Sequence, residues 1–360
     1  MKMDITFPEI SIDTDNPFTA KSFYQNLEKS NLLTNKTGWS PIYFSNEESI
    51  LPGFIKTHSY GEFIFDWAWA NFYQRFGIDY YPKLVHCIPF TPVNAPKIIG
   101  KFNIDLFTES FKFYQSEPRL SGEHYLFIND EEERELKKLN FKIMHTIQYH
   151  FKNKWNSFDN FLADLRPNRR KMIRKERKKI NESPVNISWL NDFSDQNMET
   201  IYLLYISTIA KKQSQAYLNK DFFHRLRDQE QIKILVATID QKIIAMSIFF
   251  ESKEALYGRY WGINPHLEKE YPFLHFEMCY YRGLDYIFVN DIPLFEAGAQ
   301  GEQKLWRGFT PVVIKSAHHI KRDDLFEPIK NYIDEQNENT SLEIENLKKY
   351  LPFKDDHEKA

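Results

Sequence analysis

Residues 255–311 read ALYGRYWGINPHLEKEYPFLHFEMCYYRGLDYIFVNDIPLFEAGAQGEQKLWRGFTP, and this stretch decides the fold. Alternation in ALYGRYW predicts a strand. Pro272 stands where a first helical turn tolerates it, because its missing N–H would be unpaired there anyway. The helix it opens is expected to run to about Val289. PLFEAGA reads as a second strand, and GEQKLWRG as a charged loop bounded by glycine. At helical spacing, Phe273, Phe276, Tyr280, Leu284 and Ile287 fall on one side, with His275, Cys279, Arg282 and Tyr286 opposite. Glu277 falls inside the apolar stripe. A carboxylate facing a core is costly unless it is paired. Glu277 is therefore either the partner of a nearby Arg or Tyr, or a positioned base or substrate anchor.

Working outward, VNISWL is a strand, and METIYLLYISTIAKK and NKDFFHRLRD are helices. IKILVATI, KIIAMSIFF and ALYGRYW form a meander with turns at Asp240-Gln241 and Glu251–Glu254. VVIKSAHHI is the last strand, and a helical then charged tail follows from Asp323. The first half interleaves strands at 40–45 and 50–57, a helix at 65–75, the strand PKLVHCIPFTPV, whose prolines favour an edge or a short buried strand, a helix at 104–116 and the strands EHYLFI and FKIMHTIQYHF. NDEEERELKKLN is a solvated helix laced with charge pairs. The expectation is an α/β fold with mixed sheet in two domains, 1–150 and 151–325, and a tail at 326–360. The loop His58–Glu62 concentrates His58, Tyr60 and Glu62, with Asp66 just beyond. These are candidate substrate contacts, or a solvated loop capping the next helix.

Between Arg166 and Lys179 there are nine basic residues and one acid, Glu176. Arg166-Pro167 interrupts one helix, and Asn168 can cap a second from Arg169. Three readings stay open. The segment is a solvated basic helix, a nucleic-acid or membrane contact, or an anion site. In the last, Arg169, Arg170, Lys171 and Arg174 join unpaired N–H groups to hold phosphate.

Composition bounds the rest. The 360 residues are 42% hydrophobic and 16% aromatic with net charge −3, which describes a globular chain without an overall nucleic-acid signature, so no DNA partner is expected. Cys87 and Cys279 lie far apart, so neither a disulfide framework nor a metal site is implied. MKMDITFPEISIDTDNPF lacks the pattern of a signal peptide, and no apolar run is long enough to span a membrane. A cytoplasmic protein is expected.

The element order of the second half resembles the GNAT acyltransferase layout. RPNRRKMIRKERKKINESPVNI resembles the Arg-rich helix of Fem-like transferases. HSYGEFIFDWAWANFY, YYPKLVHCIPFTPV, YGRYWG, PFLHFEMCYY and FEAGAQGE resemble the bacterial peptidoglycan biosynthesis/recognition family. Over about residues 15–325 this likeness implies two GNAT-like domains in the Fem-like arrangement, the first degenerate. The activity it implies is N-acyl transfer of an acyl or aminoacyl group to an amine, on a small molecule or a cell-wall peptide. The alternative is a non-catalytic recognition protein for a peptidoglycan or nucleotide-sugar ligand. No tightly bound cofactor is implied. The donor would be a co-substrate: acyl-CoA, an acyl carrier or aminoacyl-tRNA.

Three departures narrow these implications. The glycine loop that cradles coenzyme A pyrophosphate in typical GNAT enzymes is NPHLEKEYPF here, with no glycine and with Glu268 and Glu270. The Fem-like F-K-x-x-F-G element reads Leu305-Trp306-Arg307-Gly308-Phe309, so Lys304 or Arg307 must supply its cation. Gln303 stands where the family often has histidine. The resemblance then implies Glu296, Glu277 or His275 for proton removal and Lys304 or Arg307 for the oxyanion. Arg259 and Tyr260 would orient the acceptor.

Overall fold

The structure, a computed structural model, describes residues 2–64, 66–211, 215–298 and 301–354. In chain order it forms β1 (Lys2–Asp4), α1 (Lys21–Lys29), β2 (Trp39–Ser45), β3 (Ser49–Lys56), α2 (Trp67–Arg75), β4 (Lys83–His86), β5 (Ile99–Gly100), α3 (Asp105–Ser116), β6 (Gly122–Ile128), α4 (Asp130–Lys138) and β7 (Lys142–Lys152). There follow α5 (Phe158–Asp164), α6 (Pro167–Asn181), β8 (Asn186–Trp189), α7 (Asp195–Lys211), α8 (Lys220–Arg225), β9 (Ile232–Ile239), β10 (Lys242–Glu251) and β11 (Ala255–Ile263). The last elements are α9 (Leu274–Phe276), α10 (Arg282–Val289), β12 (Leu294–Glu296), β13 (Thr310–Ile320) and α11 (Asp323–Lys348). A π-helical turn, Glu277–Tyr281, joins α9 to α10.

The chain divides into two units, Met1–Ile147 with Val313–Glu343, and Gln148–Val312 with Ile344–Ala360. In unit one the strand order is β1-β2-β3-β4-β6-β13, with β5 against β3. Only β4 and β6 among these neighbours run parallel, and α3 supplies the crossover that a parallel pair needs. Phe44, Leu51, Leu84, Tyr125 and Ala317 pack one sheet face against Leu106, Phe107 and Leu136 of α3 and α4. Side chains alternate across a strand, so Lys56, Lys83, His124 and His318 share the other face. All four are buried.

Unit two has the order β7-β12-β11-β10-β9-β8, again with one parallel pair, β11 and β12, bridged by the α9–α10 helix. Phe249, Leu256, Met278, Leu284, Ile287 and Phe295 are buried within this unit. Gly262 lets α7 lie close on β11, because a Cβ there would stand 2.3 Å from the Leu204 carbonyl oxygen.

The domain limits read from sequence shift. Residues 313–343 belong with the first unit, because Lys315–Ile320 of β13 pair with β6 and Asn337 of α11 accepts from the His145 N–H and donates to the Ile143 carbonyl. The second unit begins at Gln148, and β7 pairs there with β12 through His150, Phe151 and Lys152. Helix α6 starts earlier than its expected Asn168 cap, with Arg166 as N-cap and Pro167 in the first turn. Along 274–289 the buried positions are Leu274, Glu277, Met278, Tyr280, Tyr281, Gly283, Leu284, Ile287 and Phe288. The expected stripe holds for Tyr280, Leu284 and Ile287, but Phe273 and Phe276 are only half-buried. The π turn widens the helix locally, so one 3.6-residue phase cannot describe both of its ends.

Candidate active site in the second unit

β11 and β12 pair over three residues only, ending at Tyr257 and Glu296, while β11 continues to Ile263. Where they part, the ladder of β11 with β10 slips between Ile248–Tyr260 and Phe249–Gly258, which makes Arg259 the extra residue of a bulge. Bulges re-aim side chains at such rims. The Arg259 guanidinium donates to the Glu296 carboxylate at 2.8 Å, the Glu296 carbonyl at 3.2 Å and the Gly258 carbonyl at 3.0 Å. His150 of β7 sits 3.9 Å from the other Glu296 oxygen and 3.2 Å from Gln148 Oε1. Burial lowers the His150 imidazole below its usual range, and Arg259 and Lys304 add to this against Glu296.

Lys304 follows in the short helical loop Glu302–Arg307. Its side chain is buried, and Nζ donates to the Gly298 carbonyl at 2.6 Å. Burial pushes this ammonium down to about 7, Arg259 pushes the same way, and Cys279 opposes. Cys279 lies in the π turn, 3.6 Å from Ser247 Oγ, and burial pushes its thiol up to about 12. A thiol so placed is a poor nucleophile.

Glu296, Arg259 and Lys304, three of the groups singled out in the sequence, thus share one electrostatic neighbourhood, with His150 added. The remaining ones have other partners. Glu277 accepts from Arg177 at 3.1 and 3.2 Å and pairs with Arg282 at 3.0 Å, and Arg177 also reaches Asp285. Burial nonetheless raises the Glu277 carboxyl. Its place in the stripe is explained by ion pairing. Arg307 donates twice to Glu176, at 2.8 and 2.9 Å, and once each to Tyr281 Oη and the Gln303 carbonyl, while Tyr281 donates to Glu176. Its guanidinium lies 3.6 Å over the Phe276 ring. Arg307 therefore holds the loop in place, which leaves Lys304 as its buried lysine. His275 packs between the rings of Trp261 and Tyr280. Tyr260 turns toward the rings of Tyr205 and Phe223.

On α6, Arg169 stacks on the half-exposed Trp306 at 4.8 Å. Among the described residues no carboxylate pairs with Arg170, Lys171 or Arg174. The expected cradle of unpaired N–H groups is reduced, because the Arg169 N–H meets Asn168 Oδ1, the Arg170 N–H meets the Arg166 carbonyl, and Pro167 has none. Glu268 in the loop without glycine pairs with Lys211.

The HSYGE residues of unit one separate. His58 accepts the Tyr60 N–H at Nδ1, so Nε2 donates to the Thr37 carbonyl at 3.0 Å. Tyr60 is exposed beside Trp67. Glu62 and Asp66 are buried on Lys83.

A family model described as peptidoglycan biosynthesis/recognition, FemAB-like, matches residues 6–355. The chain belongs to this FemAB-like family. FemX is 8% identical, with 92% of this chain and 100% of that chain covered at a TM-score of 0.54. L-PGS from Bacillus licheniformis is 10% identical, with 92% and 99% covered at 0.54. A conserved protein of unknown function from Bacteroides thetaiotaomicron is 13% identical, with 88% and 99% covered at 0.51. At such identities the likeness establishes the mixed α/β, Fem-like fold and leaves the chemistry to the site. No curated protein matches the FemAB-like chain. Among its described residues no helix is long and apolar enough to cross a membrane.

His150 is the site residue that the sequence reading passed over. It lies in an ordinary strand and reaches Glu296 only through the pairing of β7 with β12. Helical spacing alone puts Cys279 only on the polar side of its helix.

Proposed function

We propose that this FemAB-like protein is an N-acyltransferase that moves an aminoacyl or acyl group onto an amine of a cell-wall precursor, with Lys304 managing proton and charge. The observation that carries this reading is a buried lysine poised near neutrality beside the Arg259–Glu296 pair, where β11 and β12 part. The acceptor amine attacks the acyl carbonyl carbon and forms the C–N bond. The adduct then carries a positive nitrogen and a negative oxygen. Neutral Lys304 takes the proton from that nitrogen and becomes an ammonium beside the oxyanion. Negative charge developing nearby raises its proton affinity, so the interaction is stronger in the transition state than before it. When the tetrahedral carbon collapses, the bond to the leaving oxygen or sulfur breaks and that atom takes the proton back from Lys304.

Arg259 and Glu296 fix the point where β11 and β12 part and orient the amine. Arg169, Arg170, Lys171 and Arg174 bind donor phosphate. Aminoacyl-tRNA is the donor this reading favours. The loop before α9 has no glycine cradle, and α6 presents cations without carboxylate partners among the described residues. The shared fold with FemX is compatible with this choice.

The test is transfer of radiolabelled amino acids from a pool of charged tRNA to peptidoglycan-precursor peptides. Lys304→Met should lower turnover by roughly 100-fold or more, the scale of losing a charge-stabilising group, with the melting temperature within a few degrees of wild type. Turnover retained in Lys304→Met would refute the role. No turnover by the wild type with charged tRNA, acyl-CoA or acyl carrier would favour the recognition reading.

A further inference from the structure

The loop that carries Lys304 turns one large apolar side chain outward. Lys304, Leu305 and Arg307 are buried, while Trp306 between them stays 41% exposed. The loop is not free to tuck it in. Arg307 is clamped to Glu176 of α6 by two hydrogen bonds. The backbone closes around it, with the Gly308 N–H on the Leu305 carbonyl at 3.1 Å and the Phe309 N–H on the Lys304 carbonyl at 3.2 Å. Gly308 takes φ of +89° with no room for a side chain, because a Cβ would stand 2.8 Å from the Phe161 ring. A tryptophan on so fixed a backbone has only its own two torsions to lose on binding. The Arg169 guanidinium lies over the Trp306 ring at 4.8 Å and has no carboxylate partner among the described residues. Arg170, Lys171 and Arg174 stand within the next turn and a half of the same helix.

We propose that Trp306 is a stacking platform for an unpaired base at the acylated end of the donor, the terminal adenine of a charged tRNA. The inference rests on the transfer reading and names the part of the donor that lies beside Lys304. Every base offers a π face, and an aromatic side chain beside a track of cations is how unpaired nucleic acid is held. Distance selects the source of the adenine. Consecutive Cα atoms are about 3.8 Å apart, so the Cα atoms of Lys304 and Trp306 are separated by at most about 7.6 Å. In an aminoacyl-tRNA the acyl group is esterified to the ribose that bears the terminal base, so the base and the reacting carbonyl are one sugar apart. In an acyl-CoA the whole pantetheine arm lies between adenine and thioester. A platform two residues from the lysine that manages charge fits the first donor and not the second. Arg169 serves twice, stacking on one face of the ring and offering N–H groups to the phosphate next to the base.

The experiment is titration of the full chain with an uncharged hairpin RNA ending in single-stranded ACCA, and with the same RNA lacking only its last base, followed by fluorescence anisotropy of a label in the hairpin loop. Trp306→Ala should weaken binding of the complete RNA by about 5- to 100-fold, the scale of one stacked base. The salt dependence should keep its slope, because no phosphate contact is removed. Trp306→Phe keeps a ring and should retain most of the affinity. Loss of the terminal base should weaken wild-type binding by a like factor and Trp306→Ala binding hardly at all, since both changes delete the same contact. A Trp306 that only supports the loop would not separate the two RNAs. Equal affinity of wild type and Trp306→Ala for the complete RNA would overturn the proposal and leave transfer from tRNA standing, as would equal sensitivity of both proteins to the missing base. Coenzyme A is titrated in parallel. If Trp306→Ala weakens its binding and not that of RNA, the platform serves the adenine of coenzyme A and the tRNA assignment is overturned. No binding of either RNA by the wild type would overturn the platform together with the choice of donor.

Discussion

Glu176→Ala should be among the most destabilising single changes in the second unit. The carboxylate accepts two bonds from Arg307 and one from Tyr281, and both ion-pair partners are buried. Its removal leaves the Arg307 guanidinium with Tyr281 Oη, the Gln303 carbonyl and the Phe276 face, and with no counter-charge among these. Breaking one side of a buried pair costs about 3–5 kcal/mol, mostly the penalty of the charge left behind. The same helix carries its own control. Lys178 and Glu182 are paired at 3.5 Å but exposed, so Glu182→Ala should cost less than about 1 kcal/mol. Urea unfolding followed by tryptophan fluorescence gives both values, provided the denaturant slope is unchanged. Replacing both partners with apolar residues, Glu176→Leu with Arg307→Met, should recover much of the loss, because desolvation of the pair offsets its attraction. A cost below about 1 kcal/mol for Glu176→Ala would refute the reasoning. So would a double variant no more stable than the summed single changes predict.

The pH dependence of stability has a worked sign. Lys304 and Lys56 have folded-state values near 7 against 10.5. The folded protein therefore binds fewer protons than the unfolded chain between those values, and these groups make stability rise from about pH 7 to 10.5. Glu62 is raised from 4.5 to about 7, so its contribution falls with rising pH across that window. Together the three place a minimum near pH 7, and Lys304→Met should shallow the rise above it in melts at fixed ionic strength. Gly262→Ala should cost at least about 2 kcal/mol by forcing α7 off β11, measurable in the same urea series. Charge reversal at Arg170, Lys171 and Arg174 should weaken charged-tRNA binding and flatten its dependence on salt, while an unchanged salt slope would remove α6 from the interface.

Much of the fold is legible because the signals are local. The meander Ile232–Ile263 follows from alternation broken at Asp240-Gln241, whose φ values of +47° and +63° suit the tight turn between twisted strands. The 65–75 and 104–116 helices appear as α2 and α3 within two residues. What escapes is set by distant pairing. No local pattern tells that β13 joins β6 or that His150 meets Glu296. Glu277 is visible as an anomaly, but its partner Arg177 lies 100 positions away. The π turn shifts the helix phase with no composition cue. Lys83 and Lys56 look like ordinary strand lysines, and only the register of β3 with β4 makes them neighbours.

The pairing of β13 with β6 sets a timetable for synthesis. Ile128 leaves the ribosome long before Lys315, its partner across the ladder. At about 5–20 residues per second, the intervening stretch takes on the order of 10–40 s to make. Through that interval one side of β6 has its backbone donors and acceptors uncovered, next to an already translated hydrophobic layer. Such an edge is a template for pairing with other nascent chains. Release of a polypeptide truncated before residue 313 would make that exposure permanent. Premature termination should therefore yield aggregates rather than a folded first unit, even though α1 to α4 of that unit have been made.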